Sequence, residues 1–301
     1  MTRSQYTPVA LFAYNRPDHI RRAVESLLTN REARATKLYV FSDGPKNKKE
    51  VSIINEVRHY LSSIRGFAEI RIIARPVNVG LATNVILGIT EIINTEGQLI
   101  VLEDDLIVSP YFLAYMNDAL DMYESENAVI SIHGYMYPLR ESLPPSFFWG
   151  FTSSWGWATW KRGWNLFSSD GKTLLRELNT RHLTHRFDLD GAYPFTKMLE
   201  DQIAGKNSSW AIRWNAAACI SGKLSLYPGE SLVQNSGNDS SGTHIGTTRW
   251  FDTKLRSEPL PLQKIVVEED FVARKALAEF YRSMPRTRFR RVAALFGGKP
   301  W

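Results

Sequence analysis

Cysteine is nearly missing from this chain: Cys219 stands alone among 301 residues. One thiol excludes an internal disulfide and suits a reducing compartment. Its setting, Ala216-Ala217-Ala218-Cys219-Ile220, reads as packed interior rather than as a nucleophile. No apolar run reaches the ~18 residues that a membrane span needs, and the N-terminus lacks the basic segment and apolar core of a secretory leader. The expectation is a cytoplasmic protein. Two motifs are absent as well. After the first apolar stretch stand Tyr14-Asn15-Arg16-Pro17-Asp18, with no G-x-G-x-x-G, and no P-loop occurs anywhere. Those absences argue against a nicotinamide-dependent dehydrogenase and a P-loop nucleotidase. Acids are missing from the end of the chain, where Arg282, Arg286, Arg288, Arg290, Arg291 and Lys299 account for the formal net charge of +6.

What is present is ordinary in bulk, 44% apolar and 23% charged, and points to a globular fold. Short apolar runs at Thr7–Tyr14, Lys37–Ser42, Ile70–Ala74, Leu99–Leu102 and Ala128–Ile132 predict buried strands. Helical spacing appears between them, as in Ile20, Ala23, Val24, Leu27 and Leu28 after Pro17. Strands alternating with helices predict an α/β fold, an open doubly wound and mostly parallel sheet covered on both faces.

The chain is organised around Leu99-Ile100-Val101-Leu102-Glu103-Asp104-Asp105, which continues through Ser109-Pro110. Four apolar residues make a strand, and three acids stand where it should end. Ser109 and Pro110 predict a helix start. Carboxylates at the C-terminal end of a buried strand lie where open α/β sheets bind ligands. Three adjacent acids repel one another unless something positive neutralises them, and a hard divalent cation shared with phosphate oxygens would do so.

This stretch resembles the metal-binding segment of GT-A glycosyltransferases, most closely the N-acetylglucosaminyltransferase I family, whose acidic triplet is also E-D-D. The resemblance implies a GT-A (Rossmann-like) fold, with Asp105 as ligand to Mn²⁺ (or Mg²⁺) and Glu103 and Asp104 facing a nucleotide sugar. The other strand ends agree with it. Ala13, Tyr14, Asn15 and Arg16 end the first strand, Asp43 the second, and Arg75 with Asn78-Val79-Gly80 the third. Aromatic, cationic and carboxylate groups at one sheet edge suit a nucleoside diphosphate. Asn15 as a helix cap, and Asp43-Gly44 and Asn78-x-Gly80 as plain turns, are the local alternatives.

The second half changes character. Trp149, Trp155, Trp157, Trp160 and Trp164 fall within sixteen residues, with Ser153, Ser154 and Gly156 among them. Aromatic faces stack on sugars, and Trp155 or Trp157 is the candidate platform, although aromatic stripes are more often core. The resembling family has a similar segment followed by an aromatic helix. It also opens a later helix with an acidic pair that supplies the catalytic base, which by resemblance is Asp201, with Glu200 second. Ser231–His244, rich in Gly, Ser and Asn, is expected as a loop. Its His244 resembles a histidine that touches metal or phosphate in such enzymes. In the tail, Phe289, Val292, Ala293 and Phe296 form an apolar stripe among arginines. A basic amphipathic helix of this kind suits a membrane surface, a solvated tail and a docking helix being the alternatives; nucleic acid is not expected.

The expected organisation is a nucleotide-sugar and metal half at 1–146, an acceptor and base half at 147–262, and a basic helical tail at 263–301. The expected function is metal-dependent, inverting transfer of a sugar from a nucleoside-diphosphate sugar, UDP-N-acetylglucosamine-like, to a glycan or lipid-linked acceptor. The rivals are a sugar nucleotidyltransferase, which usually carries a Gly-rich, Arg-containing loop after its first strand, and a non-catalytic carbohydrate-binding protein, which leaves the acids unexplained.

Overall fold

The computed structural model describes residues 6–237 and 249–284. His244 and the tail from Arg286 onward lie outside the described residues. The first half alternates as expected: β1 (Val9–Ala13), α1 (Pro17–Leu28), β2 (Lys37–Ser42), α2 (Val51–Ser63), β3 (Glu69–Ala74), α3 (Leu81–Glu96), β4 (Gln98–Glu103), β5 (Leu106–Val108), α4 (Phe112–Met122) and β6 (Val129–His133). The rest adds β7 (Ser146–Trp149), β8 (Trp157–Trp160), α5 (Lys161–Trp164), α6 (Gly171–Thr180), α7 (Thr184–Phe187), α8 (Phe195–Ile203), α9 (Ala211–Ser221), β9 (Leu224–Pro228), β10 (Val233–Asn235) and α10 (Phe271–Ser283).

Eight strands form one sheet in the order β3-β2-β1-β4-β8-β6-β9-β7. Neighbouring pairs among β3, β2, β1 and β4 are parallel, as are β6 and β9. β8 runs antiparallel between β4 and β6, and β7 antiparallel to β9. Every residue of β1, β6, β8 and β9 is buried, the pattern of strands covered on both faces. The two expected halves share this sheet, because β8 and β9 of the second lie on either side of β6 of the first. Past residue 262 a non-helical stretch leads into a docked helix: α10 buries Ala273, Ala276, Leu277 and Tyr281, and Asp270 caps it by accepting from Ala273 N at 2.9 Å.

The structure corrects four local expectations. β3 is an edge strand and half exposed, so its Ile-rich run does not mean double coverage. The helix expected from Ser109-Pro110 starts at Phe112. Ser109 is buried and donates its hydroxyl to Arg256 O at 2.6 Å, and β5 occupies the residues before it. Trp157-Ala158-Thr159-Trp160 is a central strand, with only one helical turn after it. Part of the expected loop at 231–244 is strand, since Val233–Asn235 pairs antiparallel with Leu106–Val108.

Candidate active site

The parallel strands bring their C-terminal ends to one edge, and the sequence-predicted residues of the first four strand ends meet there in two clusters. The first is built on the end of β4. Asp104 and Asp105 follow the strand directly. Arg16, three residues past the end of β1, donates Nη2 to Asp104 Oδ1 and, at 3.0 Å, to Asp105 Oδ2. Tyr14 N donates to Asp104 Oδ2 at 3.2 Å. The Arg16 side chain is 18% exposed, Asp104 5% and Asp105 16%, so the ion triad is largely desolvated. Burial alone would weaken the charged form of Arg16; the two carboxylates outweigh it and hold the guanidinium firmly protonated. Burial lifts the Asp104 carboxyl against the pull of Arg16, and burial plus both neighbouring acids lifts Glu103 well above the usual carboxylate range. The neighbouring acids thus add to the rise of Glu103 and Asp104, as expected, and among the described residues Arg16 is the cation that lies against Asp104 and Asp105. Arg16 Nε and Nη1 make no hydrogen bond among the described residues.

Among the described residues no three His, Cys, Asp or Glu side chains form a metal-binding group. The donor chemistry nevertheless fits a hard cation. Two carboxylates already turn one oxygen each toward a single positive nitrogen, and one or two carboxylates plus phosphate oxygens is how Mg²⁺ is usually held. The ribbon of β5 and β10 closes over this point. Ser236 donates N and Oγ to Asp105 O at 2.8 and 2.9 Å. Gly237 lies so close that a Cβ there would stand 2.3 Å from Asp105 Oδ2. The composition of 231–244 marked a loop; it did not show that Ser236 and Gly237 would lie on Asp105.

The second cluster joins the ends of β2 and β3. Asp43 Oδ1 accepts from Gly44 N at 2.8 Å and Val79 N at 2.9 Å, and Oδ2 from Asn78 Nδ2 at 2.9 Å and Gly80 N at 3.0 Å. All of its usual acceptor directions are taken, at the N-terminus of α3, where a carboxylate also meets the positive end of the helix dipole. Asp43, Asn78 and Gly80 therefore build the loop. A Cβ on Gly44 would stand 2.3 Å from the Val77 carbonyl carbon, which explains the glycine. Arg58, which sequence spacing did not single out, ties the strand ends through Arg75 O at 2.6 Å and Asp43 O at 3.3 Å. Arg75 donates Nε to Asn84 Oδ1 at 3.2 Å, while its buried Nη2 has no partner. The Tyr14 hydroxyl donates to Glu50, and the Lys46 ammonium sits 5.1 Å from the Tyr14 ring. Burial and Glu50 raise the phenol's pKa. The Asn15 side chain makes no hydrogen bond among the described residues.

The tryptophan segment enters the same edge because β8 runs antiparallel and so begins there. Trp157 is fully buried among Trp164, Trp210 and Trp214, with ring centroids 5.6 to 6.1 Å apart. It is a core residue and offers no face to a sugar. Trp155, 6% exposed, stands edge-on between Tyr135 and Phe251. The structure does not join the predicted base to either cluster. Asp201 lies on α8 with Lys197 one turn before it and Lys206 Nζ at 3.6 Å, and Glu200 is exposed on the same helix.

No curated protein matches the sequence. Among solved structures, TarS of S. aureus aligns with a TM-score of 0.41 and 11% identity over 76% of this chain. That alignment takes in 37% of TarS, so this chain spans little more than a third of it. The mannosyltransferase PcManGT of Pyrobaculum calidifontis, in complex with GDP-Man and Mn²⁺, aligns with a TM-score of 0.37 and 13% identity over 71% of this chain and 74% of that one. Residues 9–185, well over half of the chain, match the profile of glycosyl transferase family 2. The match spans the ends of β1 to β4 and β8, and the chain belongs to that family.

Proposed function

We propose that the chain transfers a sugar from a nucleoside-diphosphate sugar to a hydroxyl of a glycan or glycolipid, with Mn²⁺ or Mg²⁺ at the end of β4 and inversion at the sugar's C1. The observation that carries the reading is the meeting of Arg16, Asp104 and Asp105 at the exit of β4, next to the ends of β1 and β2. Bound there, a divalent cation would neutralise charge on the leaving diphosphate. Asp104 and Asp105 are the residues that would hold it, and His244 is proposed to join them. Arg16 holds those oxygens in the free chain. When a metal takes them, its guanidinium keeps five donors for diphosphate oxygens, the planar fork that suits such anions. Asp43 holds the Asn78–Gly80 turn, so it shapes the nucleoside end of the site from behind. The likeness of the E-D-D segment to N-acetylglucosaminyltransferase I supports an N-acetylglucosamine-type donor.

Asp201 is the proposed base, on the resemblance alone; its partners in the structure are Lys197 and Lys206. An Asp201→Asn variant that loses about a hundredfold or more in turnover while nucleotide binding is unchanged supports that role. Turnover within a few-fold of wild type assigns Asp201 to its lysines. The basic tail is proposed to touch anionic membrane at the cytoplasmic face; what supports it is composition, and co-sedimentation with anionic but not neutral vesicles checks it. The reaction itself is tested by incubating the chain with a panel of UDP-, GDP- and dTDP-sugars and Mn²⁺. Release of a nucleoside diphosphate is expected. Formation of pyrophosphate from sugar phosphate and nucleoside triphosphate would instead establish a nucleotidyltransferase.

A further inference from the structure

We propose that a cleft at the C-terminal edge of β6 and β9 is the acceptor site, and that it takes a neutral or amine-bearing glycan rather than an acidic one. The inference rests on the glycosyl-transfer reading above and adds to it a place and a substrate class. The cleft has a volume of about 450 Å³, within the range of roughly 300–1,000 Å³ usual for ligand sites. Its walls are the segment after β6, the exit of β9 and residues 252–258.

Its position in the sheet favours the acceptor. The loops that would take the nucleotide leave β1, β2 and β3, on one side of β4. The cleft walls leave β6 and β9, on the other side. Direct displacement requires the acceptor oxygen to approach opposite the leaving diphosphate. A donor lying across β1–β3 with its diphosphate at the end of β4 therefore meets its acceptor from the β8–β6–β9 side. The ribbon of β5 and β10 connects the two places. At one end Ser236 bonds to Asp105 O, and at the other Ser231 lines the cleft and accepts from Arg256 N at 2.9 Å. The five residue steps from Ser231 to Ser236, which include the three-residue strand Val233–Asn235, can span at most about 16 Å, which bounds the separation of the cleft from the acids. That reach suits a chain whose end unit reacts at Asp105 while the units behind it rest in the cleft.

The charge of the lining names the class. Glu141, Glu230, Asp252 and Glu258 line it together with Lys254 and Arg256, and Asp252 is paired with Arg249 at 3.7 Å. Arg256 is already engaged, by Glu230 at 2.6 Å and by the carbonyl of Pro259 at 3.1 Å. The side chains of Glu141, Lys254 and Glu258 make no hydrogen bond or ion pair among the described residues, so they are free for sugar hydroxyls. Among the described residues of the lining, two unpaired carboxylates, Glu141 and Glu258, stand against one unpaired cation, Lys254, a balance that disfavours uronates and phosphorylated sugars and accepts hydroxyls or ammonium groups.

The test uses an array of neutral, amine-bearing and uronate- or phosphate-bearing oligosaccharides, probed with the labelled full chain and with a Glu141→Lys/Glu258→Lys variant. Both substituted residues are exposed, so the fold is expected to persist. The thermal shift by nucleoside diphosphate with Mn²⁺ is measured on both proteins. The expected result is that wild type retains neutral or amine-bearing glycans and passes over acidic ones. In the variant the preference moves toward acidic glycans by about tenfold or more, with the nucleotide shift unchanged. An unchanged preference in the variant, a wild-type preference for acidic glycans, or no retention of any glycan overturns the proposal. A charge-dependent preference without any nucleotide shift leaves the cleft standing and removes the nucleotide reading.

Discussion

Arg16 sets the state of the acid pair. Its guanidinium lies against both carboxylates in a setting where stranding one partner of a buried ion pair costs about 3–5 kcal/mol, reduced here because Arg16 and Asp105 keep some exposure. An Arg16→Met variant is therefore expected to melt lower, by about 2 kcal/mol. It is also expected to regain stability when Mn²⁺ is added without nucleotide, because the metal then has no guanidinium to displace. Melting curves with and without Mn²⁺ check both points; equal metal responses in variant and wild type would show that Arg16 and metal do not compete. His133 at the end of β6 makes a different prediction. Burial keeps its imidazole neutral down to about pH 3, whereas in the unfolded chain it takes a proton near pH 6.5. The unfolded state thus binds more protons between these values, and stability falls as pH drops through that window, by about 1.4 kcal/mol per unit. A His133→Gln variant is expected to flatten that acid limb in urea unfolding series at pH 4 to 7. At this scale the sequence showed the acids, because they are adjacent in the chain. It could not show their counter-charge, which stands 88 residues away in the sequence.

Elements position these residues through backbone contacts that composition does not encode. The long apolar runs of β1, β2 and β4 were legible because burial on both faces leaves continuous hydrophobic sequence. β10 was not: Val233-Gln234-Asn235 is three residues long and lies in a Ser- and Gly-rich stretch that reads as a loop. Its partner β5 is equally short, and only their pairing brings Gly237 onto Asp105. β8 was missed for the opposite reason, since Trp157 was a candidate sugar platform whereas it packs against Trp210 and Trp214 at the start of α9. The ribbon carries a prediction of its own. A Gly237→Ala variant is expected to lose about 1–2 kcal/mol of stability, because its Cβ would crowd Oδ2, Cγ and Cβ of Asp105 and push Oδ2 off Arg16. Turning that carboxylate away is expected to weaken metal-dependent nucleotide binding by about tenfold or more. Calorimetry of nucleoside diphosphate with and without Mn²⁺ checks it; wild-type affinity would show that Asp105 has no part in the site.

Over the whole molecule, the sheet order explains why so many loops serve one edge. Parallel strands on both sides of β4 end at the same face, and β8, though antiparallel, begins there. The doubly wound class followed from alternating periodicity, but the order could not, because β8 crosses back between β4 and β6 from far along the chain. The expected halves consequently share one sheet, with the loops proposed for the nucleotide and the proposed acceptor cleft on opposite sides of the acids. The central claim is that this edge binds a nucleoside diphosphate through a metal at Asp104 and Asp105. It is tested most directly by titrating UDP and GDP into the chain, with and without Mn²⁺, and repeating the titration with Asp105→Asn. Binding of one nucleotide that needs Mn²⁺ and is lost in the variant is the predicted result. Binding that is indifferent to both metal and variant, or no binding of either nucleotide, would contradict it.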